Sequence, residues 1–331
     1  MSTVVTAVPT PTGRFARIRR RHGWLAAVAV MLVVLFVLRA TQVPRFGGFE
    51  IRTIIAGSLT LAFLAMGQAV VVISGGINMS VGALMVFTNC LCAKYMEGQG
   101  VLAGVAVALG VIVLSAAISA FIGWLIALSG VPDIVVTLAA SFIIAGGALV
   151  VLPGPGGGIS ASLQPLIVGG FSNPIPAVIW ILVGLLAVWL PFRRSRWGVA
   201  TYAIGSRREA AYLSGVNVTA TRIRAYALSG LFVGFAGFVT TAFTGGGEPR
   251  SSIGLAALLA SVAAVVLGGV SLVGGSGGLV GPVIAALVLT LLAPIMLGLG
   301  WNPNYAEVAR GVILILVVML GGLLQITRRR T

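Results

Sequence analysis

Apolar runs of about twenty residues recur along almost the whole chain, and each closes in a short cluster of Gly, Pro or charge. Wound as helices, runs of that length match the hydrocarbon thickness of a bilayer. The alternation of apolar and polar positions that a membrane barrel requires is not seen. The runs fall at roughly 24–40, 51–73, a third ending near 95, 101–128, a fifth from after Asp133 to near Leu152, 175–192, 225–243, 254–273, a ninth ending near 298, and 305–324. The pattern predicts an all-α polytopic membrane protein with about ten transmembrane helices. The run 101–128 is longer than a bilayer requires, so it is expected to tilt, kink or break. Residues 153–174, rich in Gly and Pro, form a loop.

Two glycine-rich interruptions stand out. Ser74-Gly75-Gly76-Ile77-Asn78-Met79-Ser80-Val81-Gly82 breaks the second run, and Gly274-Gly275-Ser276-Gly277-Gly278 follows the eighth. Gly75-Gly76-Ile77-Asn78-Met79 with Gly82 echoes Gly268-Gly269-Val270-Ser271-Leu272 with Gly275. Internal duplication, common in transporters, and chance likeness of glycine-rich turns both account for the echo. Gly75, Gly76, Gly82, Gly268, Gly269, Gly274 and Gly275 are the candidate hinges.

Between the sixth and seventh runs, residues 193–224 turn polar and basic. Arg208-Glu209-Ala210-Ala211-Tyr212-Leu213 suits a short helix, with Ser206 able to cap it and Glu209 three residues on. Ser214-Gly215 would end it. Such a helix is either a docking element or part of a solvated loop.

Charge then fixes an expected orientation. The net charge is +15, with 21 basic residues, and fifteen of these lie in 14–21, 193–224 and 328–330. Clusters flanking apolar runs fit a positive-inside pattern and speak against nucleic acid. Ten spans put all three clusters, and both termini, on the cytoplasmic face. The chain divides into a basic arm 1–23, a transmembrane domain 24–324 holding the segment 193–224, and a basic tail 325–331. Arg39, Arg45 and Arg52 flank a turn expected outside and run against the pattern.

Composition is 59% hydrophobic and 8% charged, far too little charge for a soluble domain. The only lysine, Lys94, follows Cys92-Ala93, so a phosphate-binding loop ending in Gly-Lys-Ser/Thr is excluded. The six acids, Glu50, Glu97, Asp133, Glu209, Glu248 and Glu307, sit in loops or at run ends, and the lone His22 lies in the arm. Proton-coupled carriers usually hold such groups within their spans. No nucleophile–base set is evident, so an enzyme is not expected. Cys90 and Cys92 read as small buried apolar residues, and no metal or cofactor is expected. The energy for transport is therefore expected from another subunit.

Four motifs, in order, carry a resemblance over about residues 50–325. Ile73 to Gly82 is similar to a Gly-Gly-Ile-Asp-Leu-Ser-Val-Gly motif. Val131-Pro132-Asp133-Ile134-Val135-Val136-Thr137-Leu138 resembles a Val-Pro-x-Phe-Ile-x-Thr-Leu segment. Ala203-Ile204-Gly205 through Asn217 resembles a cytoplasmic coupling segment, and Ala263 to Gly277 resembles a C-terminal signature. The chain thus resembles the inner-membrane permeases of bacterial ABC importers of the ribose, xylose and galactose class. The resemblance implies two permease subunits, an ATPase with two nucleotide-binding domains, and a periplasmic sugar-binding protein received by loops 153–174 and 245–253. It places Arg207, Arg208, Glu209, Ala210, Ala211 and Leu213, ended by Ser214 and Gly215, in a groove on the ATPase. Many members have Asp where this chain has Asn78, and Glu-Leu-Asp where it has Leu258-Leu259-Ala260. These apolar versions look like those of systems with two different permeases, so a heterodimer is expected. For the translocation path the candidates are Gln68, Asn78, Ser80, Asn89 and Thr137, whose amides and hydroxyls suit a neutral polyol. Helix–helix hydrogen bonding is the competing role for each. A nucleoside, a furanosyl signalling molecule or an amino acid remains an alternative cargo, and a stand-alone carrier the less favoured architecture.

Overall fold

Among the described residues up to Gly298, fourteen helical elements carry the apolar sequence, thirteen α-helices and one π-helical stretch. They run α1 (Arg14–Gln42), α2 (Gly48–Ile73), α3 (Val81–Met96), α4 (Val101–Ser129), α5 (Asp133–Val151), α6 (Gln164–Val168), α7 (Ile175–Leu182), a π-helical stretch (Val183–Trp189), α8 (Leu190–Arg194), α9 (Arg196–Ser206), α10 (Arg208–Leu213), α11 (Val218–Thr244), α12 (Ser251–Leu267) and α13 (Val280–Gly298). The structure, a computed structural model, describes residues 14–302 and, beyond them, 304–306, 308, 309, 311, 312, 315 and 319, with side chains from Gly23 onward. The protein is all-α and polytopic. Among the described residues seven helices are long and apolar enough to cross a membrane, and α3 and α12 are shorter apolar helices. The expected tenth span, 305–324, falls largely outside the described residues, as do the tail 325–331 and the first half of the arm.

Several boundaries differ from those expected. The run 101–128 is one unbroken helix of 29 residues, α4. The irregular span is the sixth, where the π-helical stretch precedes Pro191, a residue with no amide to donate to the preceding turn. α11 begins at Val218, not near 225, because the Asn217 side chain accepts from the Ala220 amide at 2.9 Å and caps it. α12 ends at Leu267, not 273. Its end is a tight reversal in which the Gly269 and Val270 amides bond back to Val266 and Val265 at 3.0 and 3.2 Å. α2 ends the same way, with Gly75 and Gly76 bonding to Val72 and Val71 at 2.9 and 3.1 Å. The structural match therefore pairs Gly75 with Gly269, one position from the match read in the sequence.

α2 and α11 are the centre. Of the apolar window of α2, 78% is buried, against 6% for α1. Lipid is as apolar as a leucine side chain, so these helices are held by close backbone approach rather than by exclusion of water. A Cβ at Gly230 or Gly234 of α11 would press on Ser115, Ala116 or Ile112 of α4. The Ser115 hydroxyl donates to the Gly230 carbonyl across that contact at 2.7 Å. Gly67 of α2 lies against the Ser229 carbonyl, and Gly123 of α4 against the Tyr226 ring. Outward, α4 and α5 expose Leu109, Val113, Phe142, Ile143 and Val150, a surface suited to lipid.

The two interruptions meet at one end of the bundle. The Gly275 amide donates to the Ile73 carbonyl at 2.9 Å. Gly205, near the end of α9, sits between them: a Cβ there would collide with the Ile73 carbonyl and lie 2.6 Å from the Gly275 nitrogen. Gly274, at φ +96, faces the Gly205 carbonyl and the Gly75 Cα, both 2.8 Å from its Cβ position. Trp24 of α1 closes the same end, donating from Nε1 to the Leu267 carbonyl at 2.8 Å.

A glycine inside a helix costs roughly 0.5–1 kcal/mol relative to alanine, so Gly205 is there for the approach it permits. Gly205→Ala should destabilise the detergent-solubilised protein by about 1–3 kcal/mol, the usual cost of overpacking. Gly110→Ala in α4, where nothing lies within 4 Å of the Cβ position, should be neutral or slightly stabilising. Thermal unfolding followed by tryptophan fluorescence checks this, and an equal response from the two variants would contradict it.

Candidate functional site

The short helix predicted at Arg208–Leu213 is present as α10. Its cap is not Ser206. That serine is the last residue of α9, its side chain against Gly275, and Arg207 alone joins the two helices in an extended conformation (φ −158). The C-terminal end is as expected, with Gly215 at φ +80. There Gly215 bonds back to Tyr212 at 2.9 Å and Val216 to Ala211 at 3.0 Å. Only Ala211 is buried. Arg207, Arg208, Glu209, Ala210 and Ser214 are exposed, and so are two large apolar side chains, Tyr212 at 70% and Leu213 at 84%. On the preceding helix, α9, Trp197 lies under two guanidiniums, Arg224 at 5.2 Å and Arg196 at 5.9 Å.

What lies beneath α10 was not foreseen. α9 rests on both interruptions through Gly205, and the Tyr202 hydroxyl donates to the Gly277 carbonyl at 2.7 Å. On the other side, at the start of α11, Arg222 pairs with Asp133 of α5 at 3.2 Å. The two side chains are 9% and 13% exposed. The Tyr226 hydroxyl donates to the second Asp133 oxygen at 3.1 Å. That carboxylate also fills the space beside Gly76. The Arg208 guanidinium is pushed below its ordinary pKa by partial burial and then by the Arg222 charge, with Asp133 acting in the opposite sense. Asp133 as one of six acids, and Arg222 and Tyr226 one helical turn apart, were the signals in the sequence; nothing in it said they would meet.

The expected path residues divide. Asn78, Ser80 and Thr137 gather at the first interruption. The Asn78 Oδ1 accepts from the Ser80 amide at 3.0 Å and the Ser80 hydroxyl at 2.7 Å. The Thr137 hydroxyl accepts from the Met79 amide at 3.0 Å and donates to the Asp133 carbonyl at 2.8 Å. Asn89 is elsewhere, midway along α3. Its Nδ2 donates to the Thr241 hydroxyl at 2.9 Å and the Gly246 carbonyl at 3.1 Å, and its Oδ1 accepts from the Glu248 amide at 2.9 Å. Gln68 is fully buried within α2, with no hydrogen-bond partner for either side-chain amide atom, and the Asn78 Nδ2 is likewise unpartnered.

Beside the first interruption a groove of about 420 Å³ opens between α3, α5 and α12, lined by Met79, Ala83, Leu138, Phe142, Ser252 and Leu258 among others. The polar residues among its lining are serines, without charge. Behind it the first turns of α3 and α12 touch: a Cβ at Gly82 would collide with the Gly254 carbonyl. Gly268 and Gly281 make the equivalent contact where α12 passes into α13. The candidate hinge glycines thus fall at contacts between elements as well as at turns. Among the described residues no cluster of His, Cys, Asp or Glu could hold a metal ion, and Cys90 and Cys92 are buried and free.

Residues 50–318 match the family model described as branched-chain amino acid transport system / permease component. The ribose import permease protein RbsC of Escherichia coli (strain K12) is 32% identical over 299 residues, covering 88% of this chain and 91% of that one. The autoinducer 2 import system permease protein LsrD of Yersinia pseudotuberculosis (serotype O:3, strain YPIII) is 31% identical over 314 residues, 91% of each chain. RbsC of Bacillus subtilis is 32% identical over 261 residues, 78% of this chain and 80% of that one. No solved structure matches. A short exposed helix carried by a bundle of membrane helices agrees with a family match across most of the sequence: the chain belongs to the permease family of branched-chain amino acid transport type, the non-catalytic membrane subunits of ABC transporters.

Proposed function

We propose that this permease forms the path for a monosaccharide, a pentose or hexose, across a bacterial inner membrane, driven by a separate ATPase that grips α10. The observation that carries the reading is Leu213, 84% exposed in a polar and basic segment beside Tyr212. Large apolar side chains presented together on a short helix suit a buried anchor in a partner's groove. The partner is an ATPase with two nucleotide-binding domains. In this reading α3 and α12 serve as short spans and 305–324 as a tenth, and both termini are cytoplasmic. A second permease subunit, not identical to this one, completes the path. Loops 153–174 and 245–253 receive a periplasmic sugar-binding protein. They are suited to act as one platform, because Gly156 and Gly247 exchange backbone hydrogen bonds at 3.1 and 2.8 Å. The groove between α3, α5 and α12, with Asn78, Ser80 and Thr137 close behind its Met79 edge, is the favoured route past this subunit.

The relative named for autoinducer 2 import supports a second reading, in which the same architecture carries another small polar solute, such as a furanosyl signalling molecule. A nucleoside or an amino acid fits the same uncharged lining. A stand-alone carrier is disfavoured because, among the described residues, the acids in the spans, Glu50 and Asp133, stand in first turns and not mid-membrane.

Leu213→Glu should reduce copurification of the ATPase by about tenfold or more while leaving the melting temperature unchanged, since so exposed a side chain contributes nothing to the core. Undiminished recovery would sink the docking role. In proteoliposomes holding the complex and its binding protein, uptake of radiolabelled pentoses and hexoses should require ATP. Ala83→Phe, which fills the groove, should lower that uptake about tenfold or more with ATP hydrolysis retained. Uptake by this chain alone without ATP would overturn the proposal.

A further inference from the structure

We propose that the largely buried Asp133–Arg222 pair is the link through which movement of α10 reaches the groove, with both residues acting as positioning residues for transport. The inference rests on the reading that an ATPase works α10. Arg222 stands in the second turn of α11, the helix that leaves α10 through residues 214–217. Its guanidinium holds Asp133, the first residue of α5, at 3.2 Å, and Tyr226 holds the other carboxylate oxygen at 3.1 Å. One turn further along α5, Thr137 accepts the Met79 amide at 3.0 Å and anchors its hydroxyl on the Asp133 carbonyl at 2.8 Å. Met79 and Leu138 are lining residues of the groove. A displacement of the start of α11 is thus delivered, through one charged contact and two hydrogen bonds, to the two elements that shape one wall of that groove.

The chemistry of the contact suits this work. A buried ion pair stabilises a fold little better than apolar side chains of the same shape, so its merit is directional: it fixes one geometry and penalises others. The contacts that seat the neighbouring α9 on the interruptions are the glycine approaches at Gly205 and the hydrogen bond from Tyr202 to the Gly277 carbonyl, none of them charged. The other ion pairs among the described residues, Arg39–Glu50 and Arg250–Glu248, involve neither α10 nor α11.

The test uses the complete complex with its ATPase in lipid nanodiscs. A cysteine at Ser252, in the groove, reports by its rate of maleimide labelling, in a chain with Cys90 and Cys92 changed to alanine. The wild-type background should change its labelling rate when ATP and vanadate are added. Asp133→Asn and Arg222→Gln should each retain the ATPase and hydrolyse ATP at the wild-type rate, yet reduce the labelling response by about fivefold or more. If either single variant fails to assemble, the double variant Asp133→Asn/Arg222→Gln decides, because it buries no lone charge. A double variant that binds the ATPase and has lost the response supports the link. One that keeps the response, or that loses the ATPase, overturns it and makes the pair merely structural. A wild-type complex with no response to ATP would instead count against α10 being driven at all.

Discussion

A helix interrupted within apolar sequence leaves amides and carbonyls that lipid cannot satisfy, so protein must supply their partners. This chain is interrupted twice, after α2 and after α12, and it solves both problems in one place. The interruptions lie against each other and against α9, near enough for the Gly275 amide to reach the Ile73 carbonyl. Such an approach needs Gly75, Gly205, Gly274 and Gly275 together, because a Cβ at 205, 274 or 275 would meet backbone. Tyr202 and Trp24 take two of the remaining carbonyls. The same contact that completes the backbone hydrogen bonding therefore seats α9, and with it α10, on the discontinuities of the membrane helices.

The rest of the packing is compatible with that junction because it too relies on small residues. α11 presents Gly230 and Gly234 to Ser115 and Ser119 of α4, and Gly237 to Met85 and Thr88 of α3. Close interfaces of this kind gain dispersion contacts and can move by small increments, whereas the far end is held more firmly. There Asn89 holds the last turn of α11 through Thr241 and the loop after it through Gly246 and Glu248. Arg39 and Arg52, out of keeping with a positive-inside count, are taken up by local acceptors: Glu50 and the Pro294 carbonyl for Arg39, and the Val168 and Gly169 carbonyls for Arg52. A chain with one end pinned and the other built on glycine contacts and a largely buried ion pair is suited to be moved from the glycine end.

The reading of individual residues went furthest where chemistry is local. Arg208 to Leu213 form a helix closed by Gly215 because capping and turn preferences act over four or five residues. The π-helical stretch before Pro191 lay beyond that reach: the run that looked too long is the unbroken α4, and the irregular span is the sixth. Asn89 and Thr137 show the limit. Both are polar groups in apolar runs, yet one closes a loop at the far end and the other ties α5 to the first interruption.

Taken alone, the sequence determined that the protein is a bundle of membrane helices, that it carries no phosphate-binding loop ending in Gly-Lys-Ser/Thr, and that glycine-rich turns interrupt it after the second run and near the eighth. Hydropathy, charge and turn chemistry are properties of short stretches, so a linear string suffices to read them. Tertiary structure alone decided that both breaks converge on α9, that Asp133 finds Arg222 and Tyr226 from 89 and 93 residues away in sequence, and that the first turns of α3 and α12 touch behind a groove. Those pairings depend on which faces of distant helices are narrow enough to approach, and that is settled only when all of them pack at once.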